Sequence, residues 1–141
     1  MPNTQTYPFT SFDTSLGEAG FRPYLPITLT YKNQAITTTG LLDTGATVNV
    51  LPYQLGLDLG AIWEELTTSL QLTGNLALFE ARVLVLSAKS ANFAPVKLVF
   101  AWTQATNVPL ILGQVNFFME FDICLYRSRL SFEISPKNTA E

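Results

Sequence analysis

The chain of 141 residues contains one short segment whose residue types and spacing could do chemistry: Leu41-Leu42-Asp43-Thr44-Gly45-Ala46-Thr47. Two apolar residues of strand type run directly into an acid, which places its carboxylate at the end of a strand, facing a cleft. Gly45 lets the backbone turn closely and aim its N–H at that carboxylate, and Thr44 offers a hydroxyl for locking the loop. Taken alone, Asp-Thr-Gly reads first as a turn, because all three residues are common turn formers. The chain has no histidine, so Ser-His and Cys-His nucleophilic catalysis and most zinc sites are excluded. Any acid–base chemistry must come from carboxylates, Lys, Tyr or water.

The elements that must position this segment belong to an apolar domain. Hydrophobic residues make up 48% and charged residues 13%, about half the usual charged share of a soluble domain, which excludes intrinsic disorder. With 8 Lys+Arg against 11 Asp+Glu, net charge -3, binding nucleic acid through a basic surface is excluded too. A mean hydropathy of +0.23 is high for a water-soluble monomer. It implies apolar surface buried between subunits or a domain near a membrane. No segment supports a membrane span: Glu80 and Arg82 precede Val83–Leu86, and Glu120 and Asp122 flank Phe121, far short of the ~20 apolar residues a helix needs. Met1–Thr10 is polar and shows no secretory leader. Cys124 is the lone cysteine, expected to be a small buried hydrophobe, so a reducing, cytoplasmic setting is the expectation.

Residues 1–23 read as an N-terminal arm, with Gly17, Gly20 and Pro23 interrupting any regular pattern. Ile27–Tyr31 and Ala35–Thr39 predict a hairpin around Asn33-Gln34, and Val48–Leu51 predicts a strand ended by Pro52. Tyr53–Leu66 predicts a helix shortened or broken by Gly56 and Gly60. Leu70–Leu76 predicts a second hairpin turning at Gly74-Asn75. Ala77–Leu86 and Val96–Trp102 read as strands, Val108–Leu112 as a short buried run, and Gln114–Glu120 as one or two helical turns. Asp122–Tyr126 and Leu130–Ile134 predict a last hairpin around Arg127-Ser128-Arg129, with a C-terminal tail at 136–141. The sum is a mainly β domain over residues 24–135, closed or nearly so, with one or two short helices.

In this order, Asp43-Thr44-Gly45-Ala46 after Leu41-Leu42, a glycine-bearing hairpin at Gly74, and Ile111-Leu112-Gly113 before a helical stretch resemble the retropepsin-like aspartic proteases. The terminal hairpin Phe121–Phe132 is similar to that of single-domain bacterial members. The resemblance spans roughly residues 24–135 and implies a small closed acid-protease β-barrel that acts as a homodimer. It makes Asp43 the catalytic aspartate, Thr44 a cross-subunit hydroxyl grip, and Gly45 a holder of the carboxylate. Ala46 and Thr47 then fall on the substrate side. Thr73, Gly74 and Asn75 fall near the tip of a flap closing over substrate, and Ile111 lines a side-chain pocket. The implied activity is peptide-bond hydrolysis by a water that two carboxylates activate, sharing one proton. One motif per chain then demands two copies. Neither metal nor organic cofactor is implied, the partner is a peptide or protein substrate, and the optimum is expected at about pH 4–6.

The pattern departs from the retroviral one at Thr47 and Gln114, where many viral members carry an acid and an arginine. A neutral pair in place of an ion pair is the expectation. That departure motivates a rival reading, a catalytically inactive retropepsin-like dimerisation or peptide-binding module. Asp13-Thr14-Ser15 lacks the motif glycine and the apolar strand pair before it, and reads as a turn. Asp58, Glu64 and Glu65 read as solvated, Asp122 as a strand start or helix cap, and Trp63 and Trp102 as packing residues.

Overall fold

The computed structural model describes residues 3–137. The regular elements are β1 (Gln5–Pro8), β2 (Tyr24–Tyr31), β3 (Gln34–Leu42), β4 (Asn49–Leu51), α1 (Tyr53–Asp58) and β5 (Ser69–Leu70). They continue with β6 (Ala81–Lys89), β7 (Val96–Thr103), β8 (Ile111–Leu112), α2 (Phe117–Glu120), β9 (Phe121–Tyr126) and β10 (Ser131–Pro136). Short 3-10 turns cover Thr14–Gly20, Trp63–Glu65, Gly74–Leu78 and Arg127–Arg129.

Alternation drives the barrel. Leu25, Ile27 and Leu29 of β2 point inward, as do Leu84 and Leu86 of β6 and Leu98, Phe100 and Trp102 of β7. Each such side chain taken out of water contributes about 1.5–3 kcal/mol. The strands run β2-β3-β8-β4-β7-β6, and a further pairing of Thr28–Thr30 with Ser87–Lys89 joins β2 to β6, closing a six-stranded barrel. β5 adds to the outer edge of β6. The mainly β, closed architecture expected from the sequence is thus present.

The predicted hairpins form at β2–β3 and β9–β10, the first turning at Lys32-Asn33, where Lys32 has φ 53. The helix after Pro52 is broken as expected, α1 ending before Gly60 with φ +86. Gly56 lies against the Trp102 indole, whose Nε1–H donates to the Tyr53 carbonyl at 3.0 Å. Trp63 stacks edge-on to Trp102 at 5.1 Å, so both tryptophans pack.

Three local expectations are corrected. The first 23 residues do hold regular structure: β1 pairs antiparallel with β10, Gln5 opposite Ile134, in a separate sheet β1-β10-β9. Phe9 is buried, and Tyr7 stacks on the buried Phe132 at 5.6 Å. A strand whose partner lies about 125 residues away leaves little local trace. The hairpin at Gly74 does not turn at Gly74-Asn75: its strands are β5 and the start of β6, and its tip is a wide loop holding the 3-10 turn Gly74–Leu78. Leu72 is buried and Leu76 packs into the same apolar cluster as Val50 and Ala101, which pulls the tip down. Cys124 is exposed, because it lies opposite Glu133 on the face of β9–β10 turned away from Phe132 and Ile134. Met1 and Pro2 of the expected arm and residues 138–141 of the expected tail lie outside the described residues.

Candidate active site

Leu41 and Leu42 end β3 paired in parallel with Ile111 and Leu112 of β8. The chain then turns at Asp43, whose N–H donates to the Leu112 carbonyl at 3.0 Å. Ala46 N–H returns to the Asp43 carbonyl at 3.1 Å, closing the loop on itself. Asp43 is half-buried as a residue, and its Oδ1 accepts the Gly45 N–H at 2.9 Å. This is the carboxylate-facing amide anticipated from the glycine. The second carboxylate oxygen is left for other partners.

The stretch that follows β8 is a template for this loop. Gln114 N–H donates to Ala46 O at 2.9 Å and Val115 N–H to Thr47 O at 2.8 Å. Gln114 Nε2 donates to Thr44 O at 2.8 Å. The expected neutral pair between Thr47 and Gln114 is therefore not a side-chain pair: the Gln114 amide reaches the Thr44 carbonyl instead. Gly113 is required by close approach, since a Cβ there would stand 2.6 Å from Val48 O and 2.8 Å from Ala46 O. That is the physical content of the Ile111-Leu112-Gly113 segment.

Asp43 opens onto a cavity of about 220 Å³ between the loop, β4, β8 and the wide hairpin tip. Of the residues singled out in the sequence, Gly45, Ala46, Thr47, Thr73 and Ile111 line it with Asp43. Thr44 is exposed beside it, and Gly74 and Asn75 are exposed on the tip without lining the cavity. The sequence reading missed Val48, Val50, Leu70, Leu72 and Leu76, which make the wall apolar. Their period-two spacing at 48 and 50 and again at 70 and 72 was the available signal, and it marks a strand face without saying what the face encloses. Asp43 is the one ionisable group in the lining. Among the described residues no three carboxylates or thiols gather closely enough to hold a metal ion.

A larger hollow of about 390 Å³ lies elsewhere, between Phe12, Tyr24, Leu55, Pro109 and Leu110. Its one carboxylate, Asp58, already accepts from Gln54 Nε2 at 2.8 Å. Asp13 is a cap, as expected of a turn: its Oδ1 accepts from the Ser15 hydroxyl at 2.6 Å and the Ser15 N–H at 3.0 Å. Those bonds, the hydroxyl first, hold its carboxyl below the ordinary range. Asp58, Glu64, Glu65, Asp122, Arg127 and Arg129 are all exposed.

No family model and no curated protein sequence matches the chain. Among solved structures it is similar to a retropepsin-like aspartic protease from Rickettsia conorii, with a TM-score of 0.62 at 14% identity. The superposition covers 96% of this chain and 94% of that one. No helix among the described residues is long and apolar enough to cross a membrane. With the barrel, the Asp43 loop and the wide hairpin in place, the chain has the retropepsin-like aspartic protease fold.

Proposed function

We propose that the chain is an aspartic endopeptidase acting as a twofold homodimer, with the Asp43 carboxylates of two copies side by side on the axis. The observation that carries the reading is the Asp43 loop: a half-buried aspartate at a strand end, its carboxylate oriented by the Gly45 N–H, opening into an apolar cavity. The chemistry needs a second carboxylate at the same water, and the lining supplies none. A symmetric copy would supply it. Thr44, exposed at the loop's outer turn, would grip the partner's loop across the axis.

One proton is shared by the pair, which titrates as a unit. The ionised carboxylate takes a proton from the lytic water as its oxygen attacks the peptide carbon. The protonated one gives its proton to the carbonyl oxygen, forming a tetrahedral diol. The amide nitrogen then receives the proton taken from water, the C–N bond breaks, and a diol hydroxyl returns its proton to the second carboxylate. The cycle ends with the pair as it began, and it requires neither metal nor cofactor. Substrate would lie extended under the hairpin tip, where Leu78 is 90% exposed and Phe79 is exposed too, apolar surface that a bound peptide or the partner's tip would cover. The wall of Val48, Val50, Leu72, Leu76 and Ile111 would favour apolar side chains next to the scissile bond.

The test is cleavage of a proteome-derived peptide library by wild type and Asp43→Asn, across roughly pH 3.5 to 7.5, read by mass spectrometry. Cuts made by wild type and lost in Asp43→Asn support the mechanism. Sedimentation showing only monomer, even with a peptidomimetic bound, would refute it. A folded dimer that binds peptides and cuts none would favour the inactive peptide-binding module.

A further inference from the structure

We infer that Asn49 is a positioning residue for the Asp43 loop, acting through Gly113; for catalysis this rests on the protease reading above. Asn49 opens β4 and is completely buried, one of three buried polar residues among the described residues, in a strand otherwise made of Val50 and Leu51. An amide there is out of place in an apolar barrel unless every polar atom is used. Every one is. Its Oδ1 accepts the Gly113 N–H at 2.8 Å, and its Nδ2 donates to Val99 O at 3.0 Å and to Asn116 Oδ1 at 3.2 Å. Asn116 Oδ1 also accepts the Val99 N–H at 3.0 Å, while its Nδ2 donates to Lys97 O at 3.3 Å. Two side-chain amides thus bolt β4, β7 and the segment after β8 together. The orientation of Asn49 is set by the Gly113 N–H, which needs an acceptor and would face another donor if the amide were reversed.

The location of this bolt gives it a role beyond packing. Residues 112–115 make four hydrogen bonds to the Asp43–Thr47 loop: Asp43 N–H to Leu112 O, Gln114 N–H to Ala46 O, Val115 N–H to Thr47 O, and Gln114 Nε2 to Thr44 O. Gly113 sits in the middle of that template, and its own N–H is turned away from the loop, to Asn49. Beyond β8 the template is tied to the barrel by the Asn49 side chain, with the Asn49 N–H to Val115 O at 3.3 Å beside it, and the Asp43 carboxylate takes its position from the template. Asn49 itself does not line the cavity, though Val48 and Val50 on either side of it do, so its side chain can reach substrate only indirectly, and the bonds through Gly113 lead to the Asp43 loop.

The experiment compares wild type, Asn49→Ala, Asn116→Ala and the control Leu29→Ala, a fully buried core truncation on β2 remote from the loop. Each is assayed at one protein concentration and a temperature where it is folded. Two readouts are taken: kcat and KM on a peptide cut by wild type, and amide hydrogen exchange at Gly113–Val115. In Asn49→Ala we expect kcat to fall about 10- to 100-fold with KM within about twofold, because the carboxylate is misplaced while the pocket wall is kept. Exchange at Gly113–Val115 should rise at least about tenfold relative to the β6–β7 amides. Asn116→Ala, which leaves the Gly113 bond in place, should show a smaller change of the same kind, and it carries the test if Asn49→Ala does not fold. Leu29→Ala should lower stability and leave kcat and that exchange pattern unchanged. The inference is overturned if Asn49→Ala, or Asn116→Ala standing in for it, matches Leu29→Ala in kcat and leaves Gly113–Val115 as protected as in wild type. If wild type cuts nothing, the protease reading fails, and the exchange pattern alone still supports or overturns the positioning of the loop.

Discussion

A methyl group at Gly113 tests whether the template beneath the Asp43 loop is as tight as its geometry. The Cβ of Gly113→Ala would lie 2.6 Å from Val48 O, 2.8 Å from Ala46 O and 2.9 Å from the Val48 carbonyl carbon. All three are backbone atoms, so no side chain can swing aside. Gly113 does not have a left-handed φ, so alanine suffers no conformational penalty and the clash is purely steric. Restoring ordinary contact means moving the template and loop apart by roughly 0.5–1 Å, and such overpacking costs about 1–3 kcal/mol, with backbone clashes at the upper end. Losing one of the template-to-loop hydrogen bonds adds about 1 kcal/mol. The expected loss is about 3–4 kcal/mol, or a fall in Tm of about 10–15 °C for a domain of this size. Urea unfolding at one protein concentration, with m unchanged, measures it. Gly74→Ala is the comparison: it has φ +64 and nothing within 4 Å, so it should cost only the left-handed penalty of about 1–2 kcal/mol. A Gly113→Ala loss no larger than that of Gly74→Ala would refute the reasoning. If the protease reading holds, the same displacement lowers kcat by about 100-fold, since near-attack geometry tolerates little error.

Three more outcomes are expected. Phe132→Ala, which removes a fully buried ring under Tyr7 and Phe9, should cost about 3–5 kcal/mol in urea unfolding and detach β1, seen as fast hydrogen exchange at Gln5–Phe9. Arg82 Nη1 donates to Trp63 O at 2.8 Å and Leu66 O at 3.1 Å while its guanidinium stacks on Trp63, so Arg82 ties the base of the wide hairpin to the preceding turn. Arg82→Met should cost about 2 kcal/mol, and Arg82→Lys should fail to restore residues 63–70 to wild-type exchange rates because an ammonium lacks the fork. Asp13 is held below its ordinary value of 3.8 by Ser15, so its bonds favour the turn above that value and the benefit is lost as pH falls through the lowered folded value. An NMR titration of the Ser15 amide should follow that loss, and an amide shift unmoved under acid would contradict it.

What the sequence determined by itself was local. Alternation at Ile27–Tyr31 marked a strand that buries Ile27 and Leu29, Gly60 ended a helix, and Leu41-Leu42 running into Asp43-Thr44-Gly45 placed a carboxylate at a strand end with an amide aimed at it. These features rest on backbone dihedrals and side-chain period, which neighbours a few residues away decide. Tertiary structure alone decided which strand meets which. β1 finds β10 across the whole chain, and β2 closes on β6, because pairing satisfies edge N–H and C=O groups wherever two matching faces come together, independent of separation in sequence. The same non-local packing pulled the hairpin tip down through Leu72 and Leu76, turned Cys124 outward, and sank Asn49 where only a partnered amide is tolerated. The sequence places Asn49 in the strand Val48–Leu51 without saying what its amide meets; it becomes an anchor because Gly113, Val99 and Asn116 arrive at that amide from 50 or more residues away.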